Sequence, residues 1–186
     1  MHEPSVSCIA KGKAHKPYEF GNKIGVATLP GSNVVVGIAS FSGNPHDSTT
    51  LLPTLVHVER MTEKRFKYVV ADRGYTGAKG LEKVRLITPN PLKDKGLSRY
   101  QRDKKRKQCR SRAAIEPIIG HMKSSYRMGR NYLKGTSGDL INALLAAAAF
   151  NFNKWMHFLH QNLWALFIQL RLWAYIILQI PSQSLK

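Results

Sequence analysis

The sequence predicts an α/β protein with a mixed sheet, and three observations support this fold class. Short runs rich in β-branched residues alternate with longer amphipathic segments, in the order β-β-α-β-α-β-α-α. Clusters of Pro, Gly, Ser and Asn separate these segments, as turns do. Apolar residues make up 43% of the 186 positions, which is enough for a hydrophobic core and argues against a disordered chain.

The first predicted elements are a β-hairpin and the helix that follows it. Residues 18–28 alternate loosely between polar and apolar side chains, and residues 33–41 are rich in valine and isoleucine. The cluster Pro30-Gly31-Ser32-Asn33 provides the turn between the two strands. Asp47 is the expected N-cap of an amphipathic helix that extends to about residue 63.

The middle of the chain predicts two short strands separated by a short helix. Buried strands are expected at residues 68–71 and 84–88, with the helix at residues 77–83. A basic loop over residues 91–110 then leads into a helix from about 109 to 127.

A final helical region is predicted after residue 135. Thr136-Ser137-Gly138-Asp139 is typical of a capping box, and residues 140–152 are apolar on all sides of a helix. Such a helix is expected to be buried. Residues 163–180 are 18 positions with one charge, Arg171, which makes a weak membrane candidate because a central charge costs about 2.5–3.5 kcal/mol. A docked or exposed hydrophobic helix, a non-native tail and a membrane span remain open for this segment.

The charge is concentrated in one part of the chain. The protein has 29 Lys and Arg residues against 11 acidic ones, and residues 91–134 alone carry 14 basic and 3 acidic groups. The run Arg102-Asp103-Lys104-Lys105-Arg106-Lys107 lies at the centre of that segment. A solvated loop without a partner is one interpretation. The clustering favours a surface that follows phosphates, because clustered cations gain affinity by releasing counterions from nucleic acid.

Cysteine and histidine contribute little to the expected chemistry. Cys8 and Cys109 are a hundred residues apart and form neither a disulfide framework nor a four-ligand zinc site. Residues 1–20 contain no apolar run behind a charged start, so we expect a reduced, intracellular protein. His157 and His160 lack the spacing of a zinc-protease helix, so ordinary packing is expected.

Asp72 is the first candidate for a catalytic carboxylate. It follows a predicted buried strand in Val70-Ala71-Asp72-Arg73-Gly74-Tyr75. Acidic residues at the C-terminal ends of strands in α/β sheets are well placed to line a ligand crevice. Gly74 permits a tight exit from the strand, and Tyr75 is placed to pack against a sugar or base. Helix capping is the alternative role for this aspartate.

Glu116 is the second candidate. At 100° per residue, Cys109, Arg112, Glu116 and Lys123 lie within an arc of about 60° on one helix face. Glu116 has a cation on each side, Arg112 and Lys123. This arrangement favours phosphate and metal binding over a surface salt bridge. Pro117 fits this helix only if the helix begins at about Glu116 or kinks there.

These motifs, with several others, resemble one known family. The stretches that carry the resemblance are residues 11–21, 43–47, 72–75, 114–123 and 129–135. Residues 2–160 resemble the C-terminal part of a bacterial DDE transposase of the insertion sequence 5 family, with residues 161–186 as an apolar tail. The Asp-x-Gly-Tyr motif together with Arg-x3-Glu-x6-Lys makes the resemblance specific.

The resemblance implies an RNase H-like catalytic fold that uses two aspartates and a glutamate. Asp72 matches the second Asp, Glu116 matches the Glu, and Arg112 and Lys123 match the basic positions of the signature. Cys109 stands where the family has a tyrosine. The implied cofactor is Mg²⁺ or Mn²⁺, with two ions in an intact member, which suits in-line attack on phosphorus.

The family's first catalytic Asp lies on a central strand upstream of Met1, so we expect a truncated copy that is inactive alone. Asp47 is a possible substitute, although capping is favoured for it, and Glu3 and Glu19 are weaker candidates. Loss of that strand would expose the backbone edges of its two neighbours.

The predicted partners are DNA, namely transposon ends and target, and the protein itself or an intact transposase, in the bacterial cytoplasm and nucleoid. The residues expected to contact DNA are Tyr75, Arg102, Lys104, Lys105, Arg106, Lys107, Arg112 and Lys123. Two alternatives stay open: a non-catalytic DNA-binding protein that inhibits an intact transposase, and a small basic membrane-anchored protein.

Overall fold

The computed structural model describes residues 6–14, 16–89 and 95–179. The chain forms two compact units, residues 1–150 and residues 151–186. Three sequence predictions fall partly outside the described residues: Glu3, positions 91–94 of the basic loop and positions 180–186 of the tail.

The first unit is a mixed α/β structure with six strands among its described residues. The strands are β1 (Cys8–Lys13), β2 (Lys16–Phe20), β3 (Lys23–Thr28), β4 (Val35–Phe41), β5 (Tyr68–Val70) and β6 (Arg85–Ile87). They pair as three separate two-stranded sheets, antiparallel for β1–β2 and β3–β4 and parallel for β5–β6. Among the described residues no strand joins β3 to β5, so the described strands do not form one continuous mixed sheet.

Four helices complete the described fold. They are α1 (Asp47–Thr62), α2 (Arg99–Ser111), α3 (Ile115–Ser124) and α4 (Gly135–Gln179), of which α4 contributes residues to both units.

The core of the first unit is formed by β4, α3 and α4. The side chains of Val35 and Ile38 pack with Ile118 and Met122, and Met122 has 0% of its surface exposed. The third partner is the small-residue face of α4, formed by Ala143, Ala146 and Ala147. This core fixes α3, and α3 carries Glu116.

The hairpin of β3 and β4 and the two short strands agree with the sequence predictions. The predicted first strand over residues 18–28 is wrong in its bounds, because the strand is interrupted at Gly21 and residues 16–20 pair with β1 in a second hairpin that was not predicted. The turn between β3 and β4 places Gly31 and Asn33 at φ values of 85° and 55°, which their small or locally hydrogen-bonding side chains tolerate. The predicted helix over residues 77–83 is wrong. Gly77 and Gly80 have φ values of 87° and 76°, which no right-handed helix accommodates, and only a 3₁₀ turn at Arg73–Tyr75 forms.

The basic segment is a helix where a loop was predicted. Ser98 accepts a hydrogen bond from the backbone N–H of Gln101, whose side chain accepts one from the Ser98 N–H, so a capping box starts α2. No Gly or Pro interrupts residues 99–111, and Lys, Arg and Gln are good helix formers. The loop prediction followed charge and overlooked this propensity.

The predicted continuous helix over residues 109–127 is also wrong. A 3₁₀ turn at Arg112–Ala114 separates α2 from α3. Because α3 begins at Ile115, Pro117 lies in its first turn, where its missing N–H costs little.

Helix α4 departs from its prediction in two respects. It begins at Gly135, before the expected capping box, and the Asp139 carboxylate accepts hydrogen bonds from the side-chain amides of Asn22 and Asn131. Over residues 140–150 only one face is buried, while Leu144 and Leu145 are exposed. The expectation of burial on all sides is therefore wrong. Only the face that carries Ala143, Ala146 and Ala147 packs into the core.

The second unit is helical over its described residues, 151–179. Most of its apolar side chains between residues 152 and 175 are exposed, and Trp164 donates a hydrogen bond from Nε1 to Nε2 of His160 at 2.9 Å. Within the described residues, no helix combines the length and the hydrophobicity needed to span a bilayer.

Candidate active site

Asp72 lies just beyond the end of β5, where the sequence places it. The buried Ala71 is tied to β6 by a backbone hydrogen bond from its N–H to the Ile87 carbonyl at 3.0 Å. Asp72 then starts the 3₁₀ turn, and its Oδ1 accepts a hydrogen bond from the Arg73 N–H at 2.7 Å. The capping role considered for this residue is real, but it uses only one carboxylate oxygen. The second oxygen, Oδ2, takes no part in this cap and lies 3.2 Å from Arg112 Nη1.

Glu116 lies in the first turn of α3, which is anchored by the buried Ile118 and Met122 on the opposite side. Its own side chain is 73% exposed. The apolar face of the helix thus fixes the backbone, while the carboxylate points to the solvent side.

Arg112 brings the two carboxylates together. Its Nη1 lies 3.2 Å from Asp72 Oδ2 and 3.8 Å from Glu116 Oε1. The two acidic side chains are therefore no farther apart than the sum of these distances, although 44 positions separate them in the sequence. Arg112 is only 26% exposed, whereas the Asp72 side chain is 56% exposed. The side chain of Arg112 is therefore the most buried of the three, and the two carboxylates lie at the surface.

The chemistry of this pair suits a hard divalent cation. Mg²⁺ is commonly held by one or two carboxylates, with waters and substrate phosphates completing its coordination. Among the described residues, no three His, Cys, Asp or Glu side chains cluster closely enough to hold a metal. The residues present fit an ion that takes two ligands from this part of the protein and the rest from elsewhere.

Asp47 is not the N-cap of α1. That position is His46, whose Nδ1 accepts a hydrogen bond from the Ser48 N–H at 3.3 Å. The Asp47 carboxylate instead pairs with Lys23 Nζ at 2.5 Å and lies against Gly74, two residues after Asp72. An imidazole caps the helix, which frees the aspartate for a tertiary contact. Of the other substitutes considered, Glu19 lies on β2.

Tyr75 is half-buried against the first turn of α1. Its hydroxyl is hydrogen-bonded to Thr50. Burial, followed by the negative charge of Asp47, raises the pKa of this phenol above its ordinary value. These contacts favour a packing role for Tyr75 over the predicted contact with DNA.

Five of the seven basic residues predicted to contact DNA lie on α2, which packs beside β5 and β6, and the other two are Arg112 and Lys123. Arg102, Lys104, Arg106 and Lys107 are exposed. Asp103, 4.0 Å from Arg106, is the only acid on this helix. Lys123 is exposed in the last turn of α3. Helix α2 therefore adds a dense positive surface next to the sheet whose end carries Asp72.

Sequence reasoning missed the role of Lys23 and the contact between Asp47 and Gly74. Lys23 belongs to no motif, and 24 positions separate it from Asp47. The Gly-Tyr sequence after Asp72 signals a tight turn, but it does not say which side chain fills the space beside the glycine.

Exposed carboxylates at the end of a parallel strand pair, joined by an arginine and flanked by a basic helix, suit phosphodiester chemistry on nucleic acid. A family model described as the transposase DDE domain matches residues 3–152. The chain therefore belongs to the DDE transposase family, whose members act in DNA transposition and recombination and generally use divalent metal ions. No curated protein and no solved structure matches the chain significantly.

Proposed function

We propose that this chain is the C-terminal part of an insertion sequence 5-type DDE transposase with an RNase H-like catalytic domain. Asp72 and Glu116 are two of its three catalytic carboxylates. The observation that carries the proposal is the placement of both acids against Arg112, at 3.2 and 3.8 Å. A surface ion pair between neighbouring turns of one helix would not include Asp72, which belongs to a different element.

In the proposed mechanism, Asp72 and Glu116 hold Mg²⁺ or Mn²⁺, with two ions in the complete site. When bound there, such ions would supply positive charge to the attacking and leaving oxygens around phosphorus. Arg112 pairs with the two carboxylates before DNA arrives and then neutralises charge on a non-bridging phosphate oxygen. Lys123 lies on the same face of α3 as Glu116, two turns farther along the helix. It extends the positive surface toward the DNA backbone.

Helix α2 provides the sequence-independent grip on DNA. Its seven basic residues against one acid release counterions when they approach phosphates. Each phosphate contact contributes a slope of about −0.9 to the dependence of log affinity on log salt for duplex DNA.

We infer that the third carboxylate is supplied by a strand outside the described residues, and that this chain alone does not transpose DNA. Two features support this. The described residues hold only two converging acids at the site. The sheets β3–β4 and β5–β6 are not joined by any described strand, so β3 and β5 each retain an edge with free backbone groups. A strand between them would complete one mixed sheet, as the family resemblance implies.

The metal site is tested by Mn²⁺ titration of the purified chain, followed by electron paramagnetic resonance. We expect Asp72→Asn and Glu116→Gln each to weaken Mn²⁺ binding. Asp103→Asn, on exposed α2, is the matched control and leaves it unchanged. Equal Mn²⁺ affinity in all four proteins would refute the assignment of both carboxylates. Cleavage of supercoiled DNA is measured in parallel, and robust metal-dependent nicking by this chain alone would refute the inferred need for a third carboxylate.

The second candidate is a non-catalytic DNA-binding protein that inhibits an intact transposase through mixed oligomers. The observation that favours this function is that helix α2 carries seven basic residues, whereas the described residues bring only two carboxylates to the site. This second function predicts salt-sensitive DNA binding that survives combined Asp72→Ala and Glu116→Ala substitution.

For either function, we propose that the chain acts at DNA in the cytoplasm, associated with the nucleoid.

A further inference from the structure

We propose that Asp47, held by Lys23, is a positioning residue that sets the orientation of the turn carrying Asp72. The inference rests on the proposed metal-binding role of Asp72. It concerns a contact across three elements, β3, α1 and the turn after β5, that come together only in the folded protein.

Lys23 ties the β3–β4 hairpin to the start of α1. Its Nζ donates a hydrogen bond to the Pro45 carbonyl at 2.7 Å and lies 2.5 Å from Asp47 Oδ1. The Lys23 side chain is three-quarters buried, so few other positions are open to its ammonium group. The ammonium group therefore fixes one oxygen of Asp47 and, through Pro45, the loop before it.

The other oxygen of Asp47 fills the space beside Gly74. A Cβ atom added at Gly74 would overlap Asp47 Oδ2 and lie 3.3 Å from its Cγ. Gly74 is not among the residues with positive φ, so the backbone conformation does not require glycine there. The requirement is spatial: the carboxylate occupies the volume that a side chain would need.

A second contact holds the same turn. The Tyr75 hydroxyl is hydrogen-bonded to Thr50, and Thr50 Oγ1 donates to the Asp47 backbone carbonyl at 2.8 Å. The turn itself is closed by a hydrogen bond from the Tyr75 N–H to the Asp72 carbonyl at 3.1 Å. The first turn of α1 thus contacts two consecutive residues of the turn that begins with Asp72, and this fixes the direction in which Asp72 leaves β5.

Neither capping nor metal ligation explains Asp47. His46 already caps α1, and one oxygen of Asp47 is paired with Lys23 while the other lies against Gly74. Within the described residues, Asp47 forms no acidic group of three with Asp72 and Glu116. Its contacts are those of a residue that acts through the position of Asp72.

The test combines Mn²⁺ affinity with the free energy of unfolding in urea, measured on the full chain. Asp47→Ala and Lys23→Met are each expected to weaken Mn²⁺ binding about 10- to 100-fold, which is typical when a group that orients a metal ligand is removed. Gly74→Ala is expected to have a similar effect, because the new methyl group displaces the carboxylate. Gly96→Ala is the matched control, since a Cβ at Gly96 meets nothing within 4 Å and this position has no positive φ.

The double variant Asp47→Ala/Gly74→Ala gives the sharpest result. Once the carboxylate is absent, the added methyl group has space, so Gly74→Ala is expected to change neither Mn²⁺ affinity nor unfolding any further. A merely stabilising role for Asp47 would lower the unfolding free energy and leave the Mn²⁺ affinity of the folded protein unchanged. Asp47→Asn, which keeps the shape and loses the charge, serves if Asp47→Ala does not fold.

Two outcomes would overturn the proposal: unchanged Mn²⁺ affinity in both Asp47 variants, or an equal cost of Gly74→Ala with and without Asp47. If the unsubstituted chain binds no Mn²⁺, the proposed metal site fails. The unfolding measurements then decide the positioning contact separately: coupling between positions 47 and 74 supports it, and additivity refutes it.

Discussion

Replacement of Arg112 by glutamine is expected to change metal binding and DNA binding in opposite directions. The guanidinium lies where its Nη1 contacts both carboxylates, at 3.2 Å from Asp72 and 3.8 Å from Glu116. If Asp72 and Glu116 hold a divalent cation, the positive charge of Arg112 beside both carboxylates would oppose its binding. Removal of that charge therefore strengthens Mn²⁺ binding, while loss of a phosphate contact weakens binding to DNA.

The magnitudes follow from the exposure of the three side chains. Because Asp72 and Glu116 are 56% and 73% exposed, each ion pair is screened and contributes about 0.2–1 kcal/mol to stability. Only the shorter contact lies at hydrogen-bond distance. We expect Arg112→Gln to cost about 1 kcal/mol of unfolding free energy, and less in high salt. A free-energy change of that order corresponds to roughly a fivefold to tenfold gain in Mn²⁺ affinity.

The assays are Mn²⁺ titration by electron paramagnetic resonance and DNA binding over a series of salt concentrations. Arg112→Gln is expected to reduce the salt slope of DNA binding by about 1. Arg102→Gln, on the exposed face of α2, is the matched control and lowers the slope without changing Mn²⁺ affinity. A loss of Mn²⁺ affinity in Arg112→Gln would refute the reasoning, because it would show that the arginine mainly orders the two carboxylates.

Three further predictions concern the surrounding structure. Met122→Ala is expected to lower the unfolding free energy by about 2–5 kcal/mol, because this side chain is fully buried in the core. The exposed Met61→Ala changes it by less than about 0.5 kcal/mol in the same urea titrations. Ser98→Ala removes the capping box of α2, with an expected loss of about 1 kcal/mol and lower helical circular dichroism; an unchanged spectrum would contradict it. The pKa of Tyr75 is raised by burial and then by Asp47, so the folded state holds the phenol proton more tightly than the unfolded state. Its contribution to stability is full below about pH 10 and falls as the pH rises further, and Tyr75→Phe is expected to make the alkaline loss of stability shallower. Identical alkaline profiles for the two proteins would show that Tyr75 contributes nothing.

The local elements with strong patterns were predictable from the sequence. The hairpin of β3 and β4, helix α1 and the strands β5 and β6 follow from residue periodicity and turn residues, which act over a few neighbouring positions. The helix of the basic segment was also encoded locally, by Ser98 and Gln101. Its prediction as a loop gave charge more weight than capping and helix propensity.

The candidate site was predictable in its residues and not in its contacts. Asp72 and Glu116 could be selected because one ends a strand and the other lies between two cations on a helix. The same local information assigned Asp47 to a cap, since Asp before a helix usually fills that position. In the structure His46 takes the cap, and Lys23, from a strand 24 positions away, pairs with the Asp47 carboxylate, which lies against Gly74.

The sequence by itself determined the class of this protein: its α/β element order, its concentrated positive charge and the motifs that resemble the transposase DDE domain. Only the tertiary structure decided which of these residues meet, with Arg112 between Asp72 and Glu116, and with Asp47 against Gly74 and not at a cap. The physical reason is the range of the forces involved. Helix and strand preferences act between neighbours in the chain, whereas ion pairs and close packing depend on distances that exist only after the elements have assembled.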